Sequence, residues 1–310
     1  MPRPAGPPGP RGGELAIIER LRRLAGPAGR SGVALGIGDD CAIFRPPGAR
    51  EDLLFTTDLL LEDVHFRRAG HTPGDVGHKA LARGLSDIAA MGGRPRFCLV
   101  SLAAPADRRW LARFYRGLLK LAGETGTALA GGDLARSDHI ACDIVVCGAA
   151  PRGTALRRDG ARAGDRIWVS GALGGSALGL ATGRGRAWRR HLRPVPRLRL
   201  GAFLRRRRLA TACMDLSDGL SLDLRRLCLA SGLAAAIELP PVFPGATPAQ
   251  ALDGGEDYEL LFTAPPGARV PAAFEGLPLT AIGVMRPGAA GEVRLAGRRL
   301  PPRGWDHFRA

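Results

Sequence analysis

Carboxylates set in apolar company are the feature that most restricts how this chain can fold. Asp39, Asp40, Asp58, Asp87, Asp133, Asp215, Asp218, Glu256 and Asp257 stand at the ends of apolar runs or beside glycines. A buried carboxylate is costly unless it is paired or bound to a metal ion. With 45 Lys and Arg against 29 Asp and Glu, the ordinary arrangement would be acidic residues spread over the surface beside arginines. Motifs this far apart relieve their charge together only if the fold brings several loops to one place. Magnesium takes hard oxygen ligands and commonly shares them with substrate phosphates. The pattern therefore points to a magnesium-dependent enzyme that handles phosphate.

Each motif alone also has an ordinary reading. Gly38-Asp39-Asp40 suits a turn, and Thr56-Thr57-Asp58 suits a strand end capping the next element. Asp87 lies at helical spacing from Arg83 and Lys79, as in a surface salt-bridge ladder, yet Leu85, Ile88 and Ala89 beside it let it face a cleft. Gly131-Gly132-Asp133 reads as a tight turn or as a loop whose bare backbone approaches a phosphate. Asp215-Leu216-Ser217-Asp218-Gly219 precedes a helix, so Ser217 or Asp218 is a candidate N-cap, and the same helix start favours a phosphate. Gly254-Gly255-Glu256-Asp257-Tyr258-Glu259 opens a strand or turns a hairpin. There is no G-x-x-x-x-G-K-[ST] loop, no protein-kinase motif set and no G-x-S-x-G. The six histidines lack H-x-x-x-H spacing, which argues against zinc.

The formal charge of +16 invites a nucleic-acid reading. Only Lys79 and Lys120 are lysines, however, so arginine makes up the remainder of the basic residues. That skew, with abundant Ala, Gly and Pro, is the mark of a GC-rich coding sequence. Arg184 to Arg208 holds no acidic residue, but only Trp188 and Phe203 are available there to stack on bases. Nucleic acid is not the expected partner. No apolar run approaches the roughly 20 residues of a membrane helix. The Pro-, Gly- and Arg-rich start, Met1 to Gly13, reads as a disordered tail rather than a secretory signal. The six cysteines form no C-x-x-C pair and sit in apolar stretches, as expected of reduced, buried thiols in a cytoplasmic protein.

Apolar periodicity predicts helices over 14–24, 73–91, 110–123, 174–182 and 220–230. Strands are predicted over 52–58, 96–103, 127–130, 139–149, 165–170, 211–214, 256–263 and 279–284. Strands and helices mix in both halves, which is an α/β or α+β pattern. The Gly-, Arg- and Pro-rich stretch from Pro151 to Gly164 marks the expected boundary. The chain then divides into a tail (1–13), an N-terminal domain (14–150) and a C-terminal α/β domain (151–310).

Taken in order, the motifs resemble those of the thiamine-monophosphate kinases. The stretches are GIGDDCAIF (36–44), TTDLLLEDVHF (56–66), HKALARGLSDIAAMGGRP (78–95), AGGD (130–133), ALRRDGARAGD (155–165), HLRPVPRL (191–198), MDLSDGLSLDL (214–224), GGEDYELLFT (254–263) and GWDHF (304–308). The wider superfamily includes aminoimidazole ribonucleotide synthetase, selenophosphate synthetase and a hydrogenase-maturation dehydratase. The chain lacks the N-terminal Cys-Gly-Lys of the second and the C-terminal cysteine of the last. The resemblance implies a two-domain synthetase-like fold, a homodimer built through the N-terminal sheet, and a C-terminal half that closes over the site. It implies ATP as co-substrate and thiamine monophosphate as acceptor. Asp40, Asp58, Asp87, Asp133 and Asp215 would be magnesium ligands, Thr56 and Thr57 would add oxygens, and Asp218 would hold a further metal. Asp58, Asp87 and Asp133 would be the catalytic carboxylates. Gly132, Asp133, Arg158 and Ser217 would contact ATP. His65, Glu256 or Asp257, and Trp305 would bind thiamine phosphate, the indole through cation–π attraction to the thiazolium. Three positions depart from the family pattern: Thr56 where serine is frequent, a change that keeps the hydroxyl, Gly84 where asparagine is frequent, and Leu134 where threonine is common.

Overall fold

Apolar alternation and helical periodicity resolve into two sheets in the computed structural model, which describes residues 13–26 and 32–308. The expected tail lies outside the described residues except for Gly13, where the first helix starts; 27–31 and the last two residues are also outside. Helix α1 (Gly13–Ala25) buries none of its side chains. Its first turn is tied down by charge instead: the Glu14 N–H donates to the Asp306 carboxylate at 3.1 Å, and the Glu14 carboxylate meets Arg226 at 3.3 Å.

The first sheet comprises β1 (Val33–Leu35), β2 (Ala42–Phe44), β3 (Glu51–Leu61), β4 (Arg94–Ala104), β5 (Ala128–Arg136) and β6 (Ala141–Pro151). Its spatial order is β1-β2-β3-β6-β4-β5, antiparallel except for β4 with β5. Helices α2 (Pro73–Ala90) and α3 (Arg108–Thr125) pack together on one face. The start of α2 follows from its sequence. Thr72 is the N-cap, Pro73 fits the first turn where no N–H is needed, and Asp75 returns the hydrogen bond of a capping box. Leu81, Leu85 and Ile88 are fully buried, each stabilising the fold by about 1.5–3 kcal/mol relative to exposure.

The second sheet comprises β7 (Arg166–Ser170), β8 (Ala212–Asp215), β9 (Ala234–Ile237), β10 (Leu260–Ala264), β11 (Ala273–Phe274), β12 (Leu277–Arg286), β13 (Val293–Leu295) and β14 (Arg298–Arg299). Its path is β14-β13-β9-β12-β7-β10-β8, with β11 paired to β12. Helices α4 (Gly175–Thr182), α5 (Gly185–Leu192), α6 (Leu198–Arg206), α7 (Leu220–Ser231) and α8 (Pro248–Asp253) complete this half. The arginine-rich stretch is thus two helices. Its aromatics are half-buried and each is stacked on another ring, Trp188 on His191 and Phe203 on Phe274.

One apolar cluster joins the halves: Ala89 and Ala90 of α2 pack with Leu200 and Leu204 of α6, Cys213 of β8 and Phe262 of β10. Buried charge reinforces the second half. Glu259 is fully buried and accepts from Arg190 Nη2 at 2.7 Å and Arg197 Nε at 2.8 Å. Replacing Glu259 with Gln leaves the mostly buried Arg197 guanidinium without its counter-charge and Arg190 with Asp257 alone, which should cost about 3 kcal/mol. Urea unfolding followed by tryptophan fluorescence reads that loss directly. All six cysteines are free and buried, and burial pushes the Cys142 thiol up to about 12.

The predicted elements differ from the observed ones where local turn chemistry was overruled. Gly131-Gly132-Asp133 lies inside β5, not in a turn after it, with a register shift opposite Cys98 and Leu99. Neither Ser217 nor Asp218 caps α7. Gly219 holds the N-cap position, and Asp223 reaches back from the first turn to accept from the N–H groups of Asp218 and Gly219, both at 3.0 Å. Glu256 to Glu259 forms an irregular segment before β10 rather than its first residues. The short strands β9, β13 and β14 and helix α8 carry too little periodicity to be predicted.

Candidate active site

Three carboxylates from distant segments meet between the two sheets. Asp40 precedes β2, Asp87 lies on α2, and Asp215 ends β8; one oxygen from each lies within 4.8 Å of the others. Asp40 and Asp215 are buried. Thr56 Oγ1 donates to Asp87 at 2.5 Å, and Ser86 Oγ donates to Asp215 at 2.6 Å. The nearby cation is Arg158, whose guanidinium pairs with Asp40 and whose backbone N–H donates to Asp39 at 3.2 Å. One guanidinium does not balance this much negative charge. Burial and the neighbouring Asp215 and Asp40 charges push the Asp87 carboxyl well above its ordinary range. Burial and Asp40 do the same to Asp215, and burial with Asp40 lifts Asp39 to about 7. Asp40 Oδ2 is buried without a hydrogen-bond partner. Converging hard oxygen donors, uncompensated charge and an orphaned carboxylate oxygen fit a magnesium site.

The pleat of β3 sorts the adjacent residues of the Thr-Thr-Asp motif. Thr56 faces α2 and Asp87. Asp58 shares that face and meets Arg83 of α2 twice, Oδ1 to Nη2 at 2.6 Å and Oδ2 to Nε at 3.2 Å. Thr57, between them, is exposed and donates instead to Asp143 of β6 at 2.6 Å. Strand register places Asp133 beside Ser101, which pairs with Asp143, so Asp133 shares the face of Thr57 rather than that of the three-carboxylate cluster. Gly132 precedes it. A Cβ there would lie 1.9 Å from the Val100 carbonyl oxygen, so the β4–β5 contact requires glycine. Gly132→Ala should cost about 3 kcal/mol through overpacking of backbone on backbone, visible as a lower urea midpoint. Gly84 has a comparable cause: a Cβ there would sit 2.6 Å from Val146 Cγ2, so valine on β6 occupies the room a larger residue would need. Leu134 is exposed, and nothing in the structure explains its departure from threonine.

A second group surrounds Lys79, which is fully buried. Its ammonium lies 2.7 Å from Glu256 Oε1 and 3.2 Å from the His65 carbonyl oxygen. Burial alone would raise the Glu256 carboxyl, but Lys79, His191 and Arg83 outweigh it and hold it below its ordinary value. Glu256 and Tyr258 both have left-handed φ, 63° and 50°. That costs non-glycine residues roughly 1 kcal/mol or more each, strain of the kind that accumulates at working sites. The neighbouring Asp257 is fully engaged elsewhere: it accepts from the N–H groups of Gly174 at 2.5 Å and Ser176 at 3.1 Å, holding the start of α4. The His65 ring lies 5.2 Å from His307, tilted by 54°, and His307 lies 5.6 Å from Trp305. Burial and Arg83 lower His65 to about 3, so the ring is neutral at pH 7.

The Asp218 loop links the two groups. Its carboxylate pairs with Arg226, which also holds Asp223 at 2.9 Å. The Asp218 carbonyl accepts from the Trp305 N–H at 2.8 Å, and the Ser217 carbonyl accepts from the Glu256 N–H at 2.7 Å. Sequence reasoning did not single out Ser86, Asp143, His191, Arg226, Tyr258 or His307. Only Lys79 carried a signal in advance, as one of two lysines in a chain that otherwise uses arginine.

A fold of two layered sheets with acidic loops meeting between them is that of the AIR synthase related proteins. Residues 38–154 match the family described as AIR synthase related protein, N-terminal domain, and residues 162–296 match its C-terminal domain. Within that class the chain belongs to the thiamine-monophosphate kinase family. It is 38% identical to the thiamine-monophosphate kinase of Escherichia coli O157:H7 over 96% of this chain and 98% of that protein. Among solved structures it resembles AaThiL complexed with AMPPCP and TMP, with a TM-score of 0.84 and 34% identity over 96% of this chain and 97% of that one. It also resembles thiamine-monophosphate kinase from Stenotrophomonas maltophilia K279a, with a TM-score of 0.75 and 37% identity over 92% and 97% of the two chains.

Proposed function

We propose that this chain transfers the γ-phosphoryl group of ATP to thiamine monophosphate, giving thiamine diphosphate and ADP, in thiamine diphosphate biosynthesis. The observation that carries this reading is the convergence of Asp40, Asp87 and Asp215 in a member of this kinase family. AaThiL, which the chain matches over nearly its full length, binds AMPPCP and TMP together, a nucleotide and an acceptor in one protein.

The acceptor phosphate needs no strong base. A phosphomonoester has a second pKa of about 6 and is already mostly dianionic at neutral pH. In-line attack by one of its oxygens forms the new P–O bond as the bond from Pγ to the bridging oxygen of ADP breaks. The obstacle is bringing two anions together, so catalysis rests on positioning and charge neutralisation. Asp40, Asp87 and Asp215, with the Thr56 hydroxyl and Asp58, would hold magnesium, and Asp218 a further ion; Asp133 and Thr57, on the other face of the first sheet, take no part in this cluster. When bound, magnesium supplies positive charge against the meeting phosphates. Arg158 and Ser217 border the nucleotide side, and Gly132 keeps bare backbone beside it. Neutral His65, Glu256 and Trp305 form the acceptor side, the carboxylate and indole facing a cationic heterocycle. The engagement of Asp257 with α4 favours Glu256 over Asp257 as the acceptor-binding carboxylate.

We further propose that a second copy covers the outer face of the first sheet, where Leu59 and Leu99 are 49% and 37% exposed. Among the described residues no helix is long and apolar enough to cross a membrane, and a cytoplasmic location is the reading we carry forward. The deciding experiment supplies ATP, magnesium and thiamine monophosphate and separates the products. Thiamine diphosphate formed in step with ADP supports the proposal. ADP without thiamine diphosphate would leave only an ATP-using relative with another acceptor.

A further inference from the structure

We propose that Lys79 is the positioning residue of the acceptor site: its ammonium fixes the Glu256 carboxylate to the wall formed by His65, His307 and Trp305. This rests on the reading above that Glu256 and His65 contact thiamine monophosphate. Lys79 is among the largest side chains that the described fold buries completely, and the charged one among them. It contributes no surface charge, and its two polar contacts go to the two segments that would meet the acceptor. Glu256 Oε1 lies 2.7 Å away on the irregular segment before β10. The His65 carbonyl oxygen lies 3.2 Å away in the turn after β3. These segments belong to different halves of the chain, and α2 carries the ammonium that joins them.

The rest of the surroundings agree with a positioning role. Glu256 holds its carboxylate on a left-handed backbone, a conformation that persists only when neighbours over-determine it. His191 approaches the other carboxylate oxygen, Oε2, at 3.4 Å and is itself fixed by Ser176 Oγ at 2.9 Å. His71 packs 5.4 Å from His191. Arg83, one helical turn from Lys79, is committed to Asp58. The Glu256 carboxylate is therefore held by Lys79 on α2, with the His191 ring of α5 packed beside its other oxygen. The choice of lysine also has a physical reason. An ammonium donates in three directions from one point and can serve a carboxylate and a carbonyl on separate segments, whereas a guanidinium presents a planar fork. This accounts for a lysine here in a chain whose basic residues are almost all arginine.

The experiment compares the magnesium- and ATP-supplied enzyme carrying Lys79→Met, Glu256→Gln, or both, by initial rates against thiamine monophosphate and against ATP. Lys79→Met should raise KM for thiamine monophosphate about tenfold or more while KM for ATP stays within about twofold, a split that general loosening of the fold would not produce. If Lys79 acts through Glu256, the double variant should match Glu256→Gln within about twofold. A Lys79→Met enzyme with unchanged KM for the acceptor, beside a Glu256→Gln enzyme whose KM is raised, overturns the positioning role and leaves the acceptor reading intact. A Glu256→Gln enzyme with unchanged KM overturns both. Should Lys79→Met alone fail to fold, because it strands a buried carboxylate, the double variant removes both charges and answers the same question. Equality with Glu256→Gln supports the proposal, and a further loss of about tenfold or more in kcat/KM overturns it.

Discussion

Asp87→Asn should lower kcat by roughly 1000-fold or more, about 4 kcal/mol of transition-state stabilisation, and yet make the metal-free protein harder to unfold. Both effects come from the same geometry. Asp87 shares a partly closed space with Asp40 and Asp215, and Arg158 alone offsets them. Asparagine keeps the hydrogen bond from Thr56 and removes one of the repelling charges. The sign of the pH dependence follows. The folded Asp87 carboxyl is raised by burial and by its acidic neighbours, so between the unfolded value near 3.9 and the folded value the native state holds the extra proton. Stability in chelator therefore falls as pH rises above about 4, and the variant should show less of that fall. Near pH 7 its melting temperature in EDTA should exceed that of the parent, by about 2–4 °C for each kcal/mol of repulsion relieved. At pH 4 the difference should shrink. Saturating magnesium should reverse the order, because the parent gains binding energy that the variant has lost.

How far such a site was legible in the sequence depends on the residue. The start of α2 could be read from Thr72 and Pro73 because capping is local chemistry. That the carboxylates would leave the surface could be read from their apolar neighbours. Which of them meet could not, because Asp215 reaches Asp87 only when β8 docks against α2, a contact more than a hundred residues apart in the chain. Thr56 and Thr57 look equivalent in a string, and only the strand's alternation sends one to Asp87 and the other to Asp143. Gly131 and Gly132 suggested a turn, but a parallel edge strand whose Gly132 is crowded against Val100 asks for glycine as well. Lys79, Arg83 and Asp87 at helical spacing suggested a surface ladder. The structure buries that face, and Lys79 and Arg83 find their partners on other segments, Glu256 and Asp58. The left-handed backbone at Glu256 and Tyr258 left no mark in composition at all.

Asp58→Ala should also abolish turnover, by roughly 1000-fold or more, at every magnesium concentration, but with the opposite effect on stability. Asp58 meets Arg83 in a two-point contact, and the Arg83 side chain is only 12% exposed. Burial outweighs Arg83 and leaves the Asp58 carboxyl above its ordinary value, while the two-point contact keeps the carboxyl and the guanidinium together. Alanine leaves Arg83 stranded, which should cost about 3 kcal/mol, read as a lower urea midpoint. The two variants thus separate two uses of a buried carboxylate, one poised against its own kind and one paired. An Asp58→Ala enzyme with parental turnover would remove Asp58 from the reaction.

The central claim is that Asp40, Asp87 and Asp215 together hold the metal that phosphoryl transfer requires. Crystals grown with manganese and a non-hydrolysable ATP analogue, measured for anomalous scattering at the manganese edge, test it most directly. The account predicts an anomalous peak bonded to carboxylate oxygens of these three residues, absent in Asp87→Asn. Manganese found only on the nucleotide, with the three carboxylates free of it, would contradict the account.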